Sequence, residues 1–241
     1  MNEPHIAASG VLLVDKDPGM TSHDVVAIAR RSMGIKKIGH CGTLDPMATG
    51  LLMLVVGRAT KIQDLLMSED KEYVGTITLG TTTNTQDAEG EVLEEQEVPE
   101  FSEDEVREVF DKYSGEFEQV PPMVSAIKKD GVPLYKLARK GEEVKRDPRP
   151  VYVTSYELTR TVCPEIDFKV NCSKGFYVRT YAHDIGASLG CGGHLSSLRR
   201  TRSGKFTLDR AVQVETLKKA DAQELIDSMV SLAEISLMRG A

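Results

Sequence analysis

Gly39-His40-Cys41-Gly42-Thr43-Leu44-Asp45-Pro46-Met47-Ala48-Thr49-Gly50 sets one carboxylate, Asp45, in a run of glycine and small residues directly ahead of the apolar stretch Leu51 to Val56. Glycine reaches backbone conformations closed to other residues and lets a ligand approach closely. Pro46 confines the backbone of Asp45 to the extended region. The run reads as a stiff turn presenting a single acid with little around it to block access. That suits a nucleophile or a general acid/base. An isolated Leu-Asp-Pro would be ordinary turn chemistry, its aspartate bonding only the local backbone. The length of the surrounding pattern tips the reading toward chemistry.

Working outward, 241 residues with 40% apolar content can bury a real core, as one large domain or two small ones. Leu51 to Gly57 is strand-length, well short of a membrane span, so no membrane role is expected. The first nine residues lack the basic start and apolar stretch of a secretion signal. Cys41, Cys163, Cys172 and Cys191 are scattered, without the close pairing of a zinc site, and free thiols in a reducing, cytoplasmic setting are expected. His40 and Cys41 are adjacent and make poor partners for one ion, so no metal is expected.

The net charge of -7 sits badly with a polyanionic partner until its distribution is read. Glu89 to Glu118 holds thirteen acidic residues against Arg107 and Lys112, a local charge of -11, which leaves +4 for the remainder. Lys128 to Pro150 carries eight basic and four acidic residues, and Lys174 to Arg210 seven basic and two acidic. Local field, rather than total charge, steers a polyanion. Such clusters are commonly only solvated surface, but these two flank candidate functional motifs.

Gly10 to Asp15 reads as a buried strand, and Ser22 as the N-cap of a helix from about His23 to Met33 that Gly34 ends. Leu51 to Val56 reads as an interior strand and Ala59 to Leu66 as a short helix. Tyr73 to Leu79 alternates as a half-exposed strand. Gly80 to Pro99 reads as a polar surface loop or flap, and Ser102 with Glu105 as a capping box. A short helix is expected near Tyr135 to Lys140, a hairpin from Val151 to Arg160 and Glu165 to Cys172, and a helix from Tyr181 to Leu189. One amphipathic helix is expected from about Asp221 to Leu237. Strands and helices mix without regular alternation, so the fold class is α+β, a mixed and largely antiparallel sheet flanked by helices and loops. With no repeat and no Pro- or Gly-rich linker, residues 1–241 read as a single domain with a basic insertion at about 124–150.

The opening run resembles the signature of the TruB family of pseudouridine synthases, Gly-His-x-Gly-Thr-Leu-Asp-Pro-x-Ala-x-Gly-x-Leu, at every fixed position. Gly10 to Lys16 with Pro18-Gly19-Met20-Thr21-Ser22 resembles the family's first strand and basic loop. Lys71-Glu72-Tyr73 resembles its tyrosine-bearing strand, and Gln119 to Lys128 its Pro-Pro-x-x-Ser-Ala-x-Lys stretch. Lys174-Gly175-Phe176-Tyr177-Val178-Arg179 resembles its Lys-Gly-x-Tyr-Ile-Arg motif, with Gly193-His194-Leu195 and Leu198-Arg199-Arg200 after it. The likeness runs from about Gly10 to Val212 in family order. Val124 departs from it, since many members carry Tyr there.

That resemblance implies the pseudouridine synthase fold and isomerisation of uridine to pseudouridine in RNA, with no cofactor. It places the essential aspartate at Asp45 and makes Arg179 the cation that holds it ionised and oriented. Whether the carboxylate attacks the base, attacks C1′ or removes a sugar proton stays open. Tyr73 would stack on a flipped-out uracil, Tyr177 and Leu198 would line the pocket, His40 would wedge into the RNA loop, and Lys16 would meet phosphate. The bacterial-type members act on uridine 55 in the T-arm loop of tRNA without guide RNA or obligate partner, and a stand-alone monomer of that type is expected. Only about thirty residues follow Val212, so the family's C-terminal PUA domain is expected to be absent. Two other classes compete: a tRNA-remodelling binding protein, and a phosphate-ester hydrolase using Asp45. The second would bring a further carboxylate and Mg²⁺, and no Asp-x-Asp accompanies Asp45.

Overall fold

The computed structural model describes residues 8–125, 127–129 and 131–240, so Ala126 of the Ser-Ala-x-Lys stretch lies outside the described residues. The chain forms two compact units, Met1–Tyr73 with Arg199–Ala241, and Val74–Leu198. It passes from one to the other inside two strands, Lys71–Leu79 and Gly193–Ser203.

The first unit is built around strand Gly10–Lys16, buried along its whole length. It pairs antiparallel with Thr49–Val56, from Gly10 opposite Val56 to Lys16 opposite Gly50. The far edge of Thr49–Val56 is shared. Ile38–Cys41 takes its Met53 to Val56 half antiparallel, and Arg199 and Arg200 take Thr49 and Gly50 in parallel. The Asp45 loop is the segment that leaves one of these neighbours and enters the central strand. On the other side, Val14 and Asp15 pair in parallel with Val212 and Gln213, and Gly10 and Val11 antiparallel with Ser231 and Val230. Val11, Leu13, Leu51, Met53, Val55, Leu66 and Phe206 share one core.

In this unit the first and last expected helices differ from the sequence reading, and the expected helix from Ala59 to Leu66 is a 3-10 turn, Gly57–Ile62, followed by a short helix, Gln63–Met67. The first helix spans Ser22–Met33, but its N-cap is Thr21, which forms a reciprocal capping box with Asp24. Ser22 lies one residue inside the helix and is buried. The expected helix from Asp221 to Leu237 is instead two, Ala222–Asp227 and Leu232–Arg239, separated by strand Val230–Ser231. Each has its own capping box, Asp221 with Glu224 and Ser231 with Glu234. Edge pairing with Gly10 and Val11 claims the two residues that helical periodicity would have kept.

In the second unit, Arg149–Val162 and Glu165–Cys172 form the expected hairpin, and Gly115–Gln119 adds to the outer edge of the first. Helix Glu103–Lys112 starts at the Ser102/Glu105 capping box. Its Phe110 meets Tyr156, Phe168 and Tyr181 in an aromatic cluster. Helix Val178–Leu189 begins three residues earlier than expected and ends at left-handed Gly190. Gly80 to Pro99 is a structured hairpin rather than an open flap: Thr81–Thr83 pairs with Val92–Glu95, and Thr83 and Asp87 are buried. Among the described residues the strand pairs are mostly antiparallel, the α+β arrangement expected.

Candidate active site

The Asp45 loop is held at four points by side chains from elsewhere in its own unit. Upstream, Leu44 donates its N–H to Oγ of Ser22 at 2.9 Å, and Ser22 donates back to the Leu44 carbonyl at 3.1 Å. Downstream, the Pro46 carbonyl accepts from Nζ of Lys16 at 3.1 Å and from the N–H of Gly19 at 2.9 Å. Across the base, Arg200 donates from Nε to the Leu51 carbonyl at 2.7 Å and from Nη2 to the Gly42 carbonyl at 3.1 Å. Within the loop, Ala48 donates to the Asp45 carbonyl at 3.1 Å. Asp45 itself is half-buried between buried Leu44 and buried Ala48.

Two glycines are required by this bracing. Gly50 has φ of 94°, and a Cβ there would stand 2.3 Å from the carbonyl oxygen of Arg200. Gly42, with φ of 80°, faces Nη1 of the same arginine at 3.3 Å from where a Cβ would be. Gly50 thus makes room for the backbone of Arg200 and Gly42 for its buried guanidinium, in addition to easing access to the acid.

Lys16, for which the resemblance implies a phosphate contact, bonds the loop through Pro46. It is 1% exposed, and its ammonium also donates to the carbonyls of Met20 at 2.8 Å and Asp17 at 2.9 Å. A cation saturated with backbone carbonyls is a brace, since a buried charge persists only when its hydrogen bonds are met. His40 lies on strand Ile38–Cys41, half-buried, with its ring edge-on to His23 at 5.1 Å between centroids. Burial, then the charges of His23 and Arg200, hold its pKa down to about 4, so the imidazole is neutral near pH 7. Its Nδ1 is buried and has no hydrogen-bond partner among the described residues. Beside it, burial pushes the Cys41 thiol up to about 12. Among the described residues no group of three His, Cys, Asp or Glu is placed to hold a metal ion. Tyr73 is buried on strand Lys71–Leu79, in the same unit as Asp45.

Tyr177, Arg179 and Leu198 belong to the second unit. Arg179 occupies the first turn of helix Val178–Leu189 and is 4% exposed. It donates from Nη1 to the Thr85 carbonyl at 2.9 Å and from Nη2 to the Val124 carbonyl at 2.7 Å. Its Nη1 stands 3.6 Å from the buried carboxylate of Asp87, which also accepts from Thr85 Oγ1 at 2.6 Å and the Glu89 N–H at 3.1 Å. Gln86, in this turn, takes a left-handed φ of 65°, a conformation that costs a non-glycine residue about 1–3 kcal/mol unless its surroundings fix it. They do: its side chain accepts from Thr180 at 2.8 Å and its carbonyl from the Leu195 N–H at 3.0 Å. Tyr177 is the N-cap residue of the same helix, and buried Leu198 ends the portion of Gly193–Ser203 that lies in this unit.

Ser22, Asp87, Gln119 and Arg200 carry no functional role in the sequence reading. Ser22 resembled a cap, and a lone Asp in Thr85-Gln86-Asp87 resembles a turn residue. Arg200, in a strand of alternating basic residues, resembles solvated surface. The left-handed Gln86 carries no sequence signal at all.

A family model described as TruB family pseudouridylate synthase (N terminal domain) matches residues 30–178, and one described as tRNA pseudouridylate synthase B C-terminal domain matches residues 179–237. A tRNA pseudouridine synthase B of Opitutus terrae is 54% identical, over 93% of this chain and 93% of the relative. One of Syntrophotalea carbinolica is 47% identical over 94% of this chain and 74% of the relative. Among solved structures, a Cbf5-Nop10-Gar1 complex matches 97% of this chain with TM-score 0.73 and 29% identity. An H/ACA RNP bound to a substrate RNA containing 2′-deoxyuridine matches 98% with TM-score 0.65 and 27% identity. The chain spans 63% and 57% of those two solved chains. It belongs to the TruB family of pseudouridylate synthases. As such it is an isomerase that modifies uridine. Among the described residues no helix is long and apolar enough to cross a membrane.

Proposed function

We propose that the chain isomerises a uridine in the T-arm loop of tRNA, uridine 55, with Asp45 as the catalytic carboxylate. The supporting observation is the loop itself: one half-buried acid whose flanking backbone is bonded on both sides by buried side chains. Such fixing supplies the orientation an attacking or proton-removing group needs. The N1–C1′ bond breaks, the base turns, C5 bonds to C1′, the C5 proton leaves to solvent and N1 gains a proton. Bonds and electrons balance without an oxidant, a hydrolytic water or a metal.

In this reading Arg179 is the cation that keeps Asp45 ionised. Tyr73 stacks on the everted uracil, recovering about 1–3 kcal/mol of the extrusion cost. Tyr177 and Leu198 line the pocket, and neutral His40 inserts as a wedge rather than as an acid. The higher identity to enzymes named tRNA pseudouridine synthase B than to the H/ACA complexes supports a tRNA substrate, and we take the chain to act on it as a monomer, without guide RNA, in the cytoplasm.

The test is tritium release from tRNA labelled at uridine C5, with no other protein or RNA present. The wild type releases tritium and a binding protein does not. Asp45→Asn binds tRNA nearly as well and releases none; release at the wild-type rate by that variant overturns the assignment.

A further inference from the structure

We infer that Ser22 is the positioning residue that fixes Asp45 for reaction, an inference that rests on reading Asp45 as the catalytic acid. The Thr21/Asp24 capping box already satisfies the start of helix Ser22–Met33. The hydroxyl of Ser22 is thereby released from the work that serines usually do at a helix start. It points away from its own helix and makes both of its hydrogen bonds to one residue twenty-two positions later, Leu44.

The geometry of those two bonds is what matters. The Leu44 N–H belongs to the peptide plane before Leu44, and its carbonyl belongs to the plane that joins Leu44 to Asp45. One hydroxyl bonded to both sets the orientation of the two planes on either side of Leu44, the second of which leads directly into the Cα that bears the Asp45 side chain. Pro46 has no N–H to contribute, so the plane after Asp45 is held through its carbonyl, by the Ala48 N–H at 3.1 Å. Lys16 and Gly19 secure the chain only at the following carbonyl. Ser22 and Leu44 are 1% and 3% exposed, so water does not compete for these bonds. Ser22 itself needs no contact with RNA: it acts through the backbone of the residue before the acid.

The experiment compares Ser22→Ala with wild type in single-turnover tritium release, with enzyme in excess over tRNA, alongside tRNA Kd and thermal unfolding. The alanine keeps the Thr21/Asp24 cap. Expected is a fall in the single-turnover rate of about 10- to 100-fold, the scale of a small misplacement of a reacting group. tRNA Kd stays unchanged, and Ser22→Thr, which keeps the hydroxyl, restores most of the rate. A full rate in Ser22→Ala, with only a lowered unfolding temperature, shows a merely structural serine and overturns the inference. If the alanine variant does not fold, Ser22→Cys, of similar volume and poor hydrogen-bonding strength, is judged by the same rate and Kd. Asp45→Asn run in parallel separates the two ideas. Full activity there removes the reading of Asp45, whereas a dead Asp45→Asn beside a fully active Ser22→Ala removes only the role of Ser22.

Discussion

Gln119 and Tyr177 exchange two hydrogen bonds: the Tyr177 N–H donates to Oε1 of Gln119 at 2.7 Å, and Nε2 of Gln119 donates to the Tyr177 carbonyl at 3.0 Å. A side-chain amide thus does for Tyr177 what a neighbouring strand would do, and it sets the backbone immediately before helix Val178–Leu189 and its buried Arg179. Gln119 is 2% exposed, so both bonds form away from water.

Gln119→Ala removes both bonds at once. The expected loss is about 1–3 kcal/mol of unfolding free energy, the usual cost of stripping partners from buried polar groups. A urea titration measures it, and a loss below about 0.5 kcal/mol would mean the pair carries little of the local stability.

Gly50 and Gly175 separate two costs that glycine positions commonly mix. Both have positive φ, 94° and 81°, but only Gly50 has backbone where a Cβ would go, while Gly175 has nothing within 4 Å. Gly175→Ala should cost about 1–2 kcal/mol of left-handed strain. Gly50→Ala adds a clash with Arg200 and should be clearly worse, lowering both the unfolding temperature and turnover. Equal thermal shifts for the two variants would show that the arginine carbonyl yields.

The depressed pKa of His40 predicts a pH dependence of stability. Its folded value is about 4 against an ordinary 6.5. As pH falls the unfolded chain takes up this proton first, so stability is full above about pH 6.5 and declines toward pH 4. His40→Gln removes that contribution, and its unfolding temperature should fall less steeply across the window. Superimposable slopes for variant and wild type would place the proton uptake elsewhere.

The elements legible in sequence were those whose physics is local. The Ser102/Glu105 capping box, the alternation from Tyr73 to Leu79 and the unbroken apolar run from Leu51 are each decided by near neighbours. What could not be read depends on remote chain. Thr21 and Ser22 are equally good caps on paper, and Leu44 settles which one is free to cap. Val230 looks helical until Val11 is beside it. Arg200 looks exposed until Gly42 and Gly50 are seen to make its place. Asp45 was visible because its whole loop carries the pattern, whereas Asp87 depends on a left-handed Gln86 that leaves no trace in composition.

The first compact unit is assembled from both ends of the chain, and this has a consequence for biosynthesis. Asp45 leaves the ribosome early, but Arg200, which ties Gly42 to Leu51, and the pairing of Arg199 and Arg200 with Thr49 and Gly50 come about 150 residues later. Val212 and Val230, which complete the edges of the first strand, follow later still. A nascent chain therefore carries Asp45 on an unfinished loop until Arg200, Val212 and Val230 have emerged to pair with the first strands.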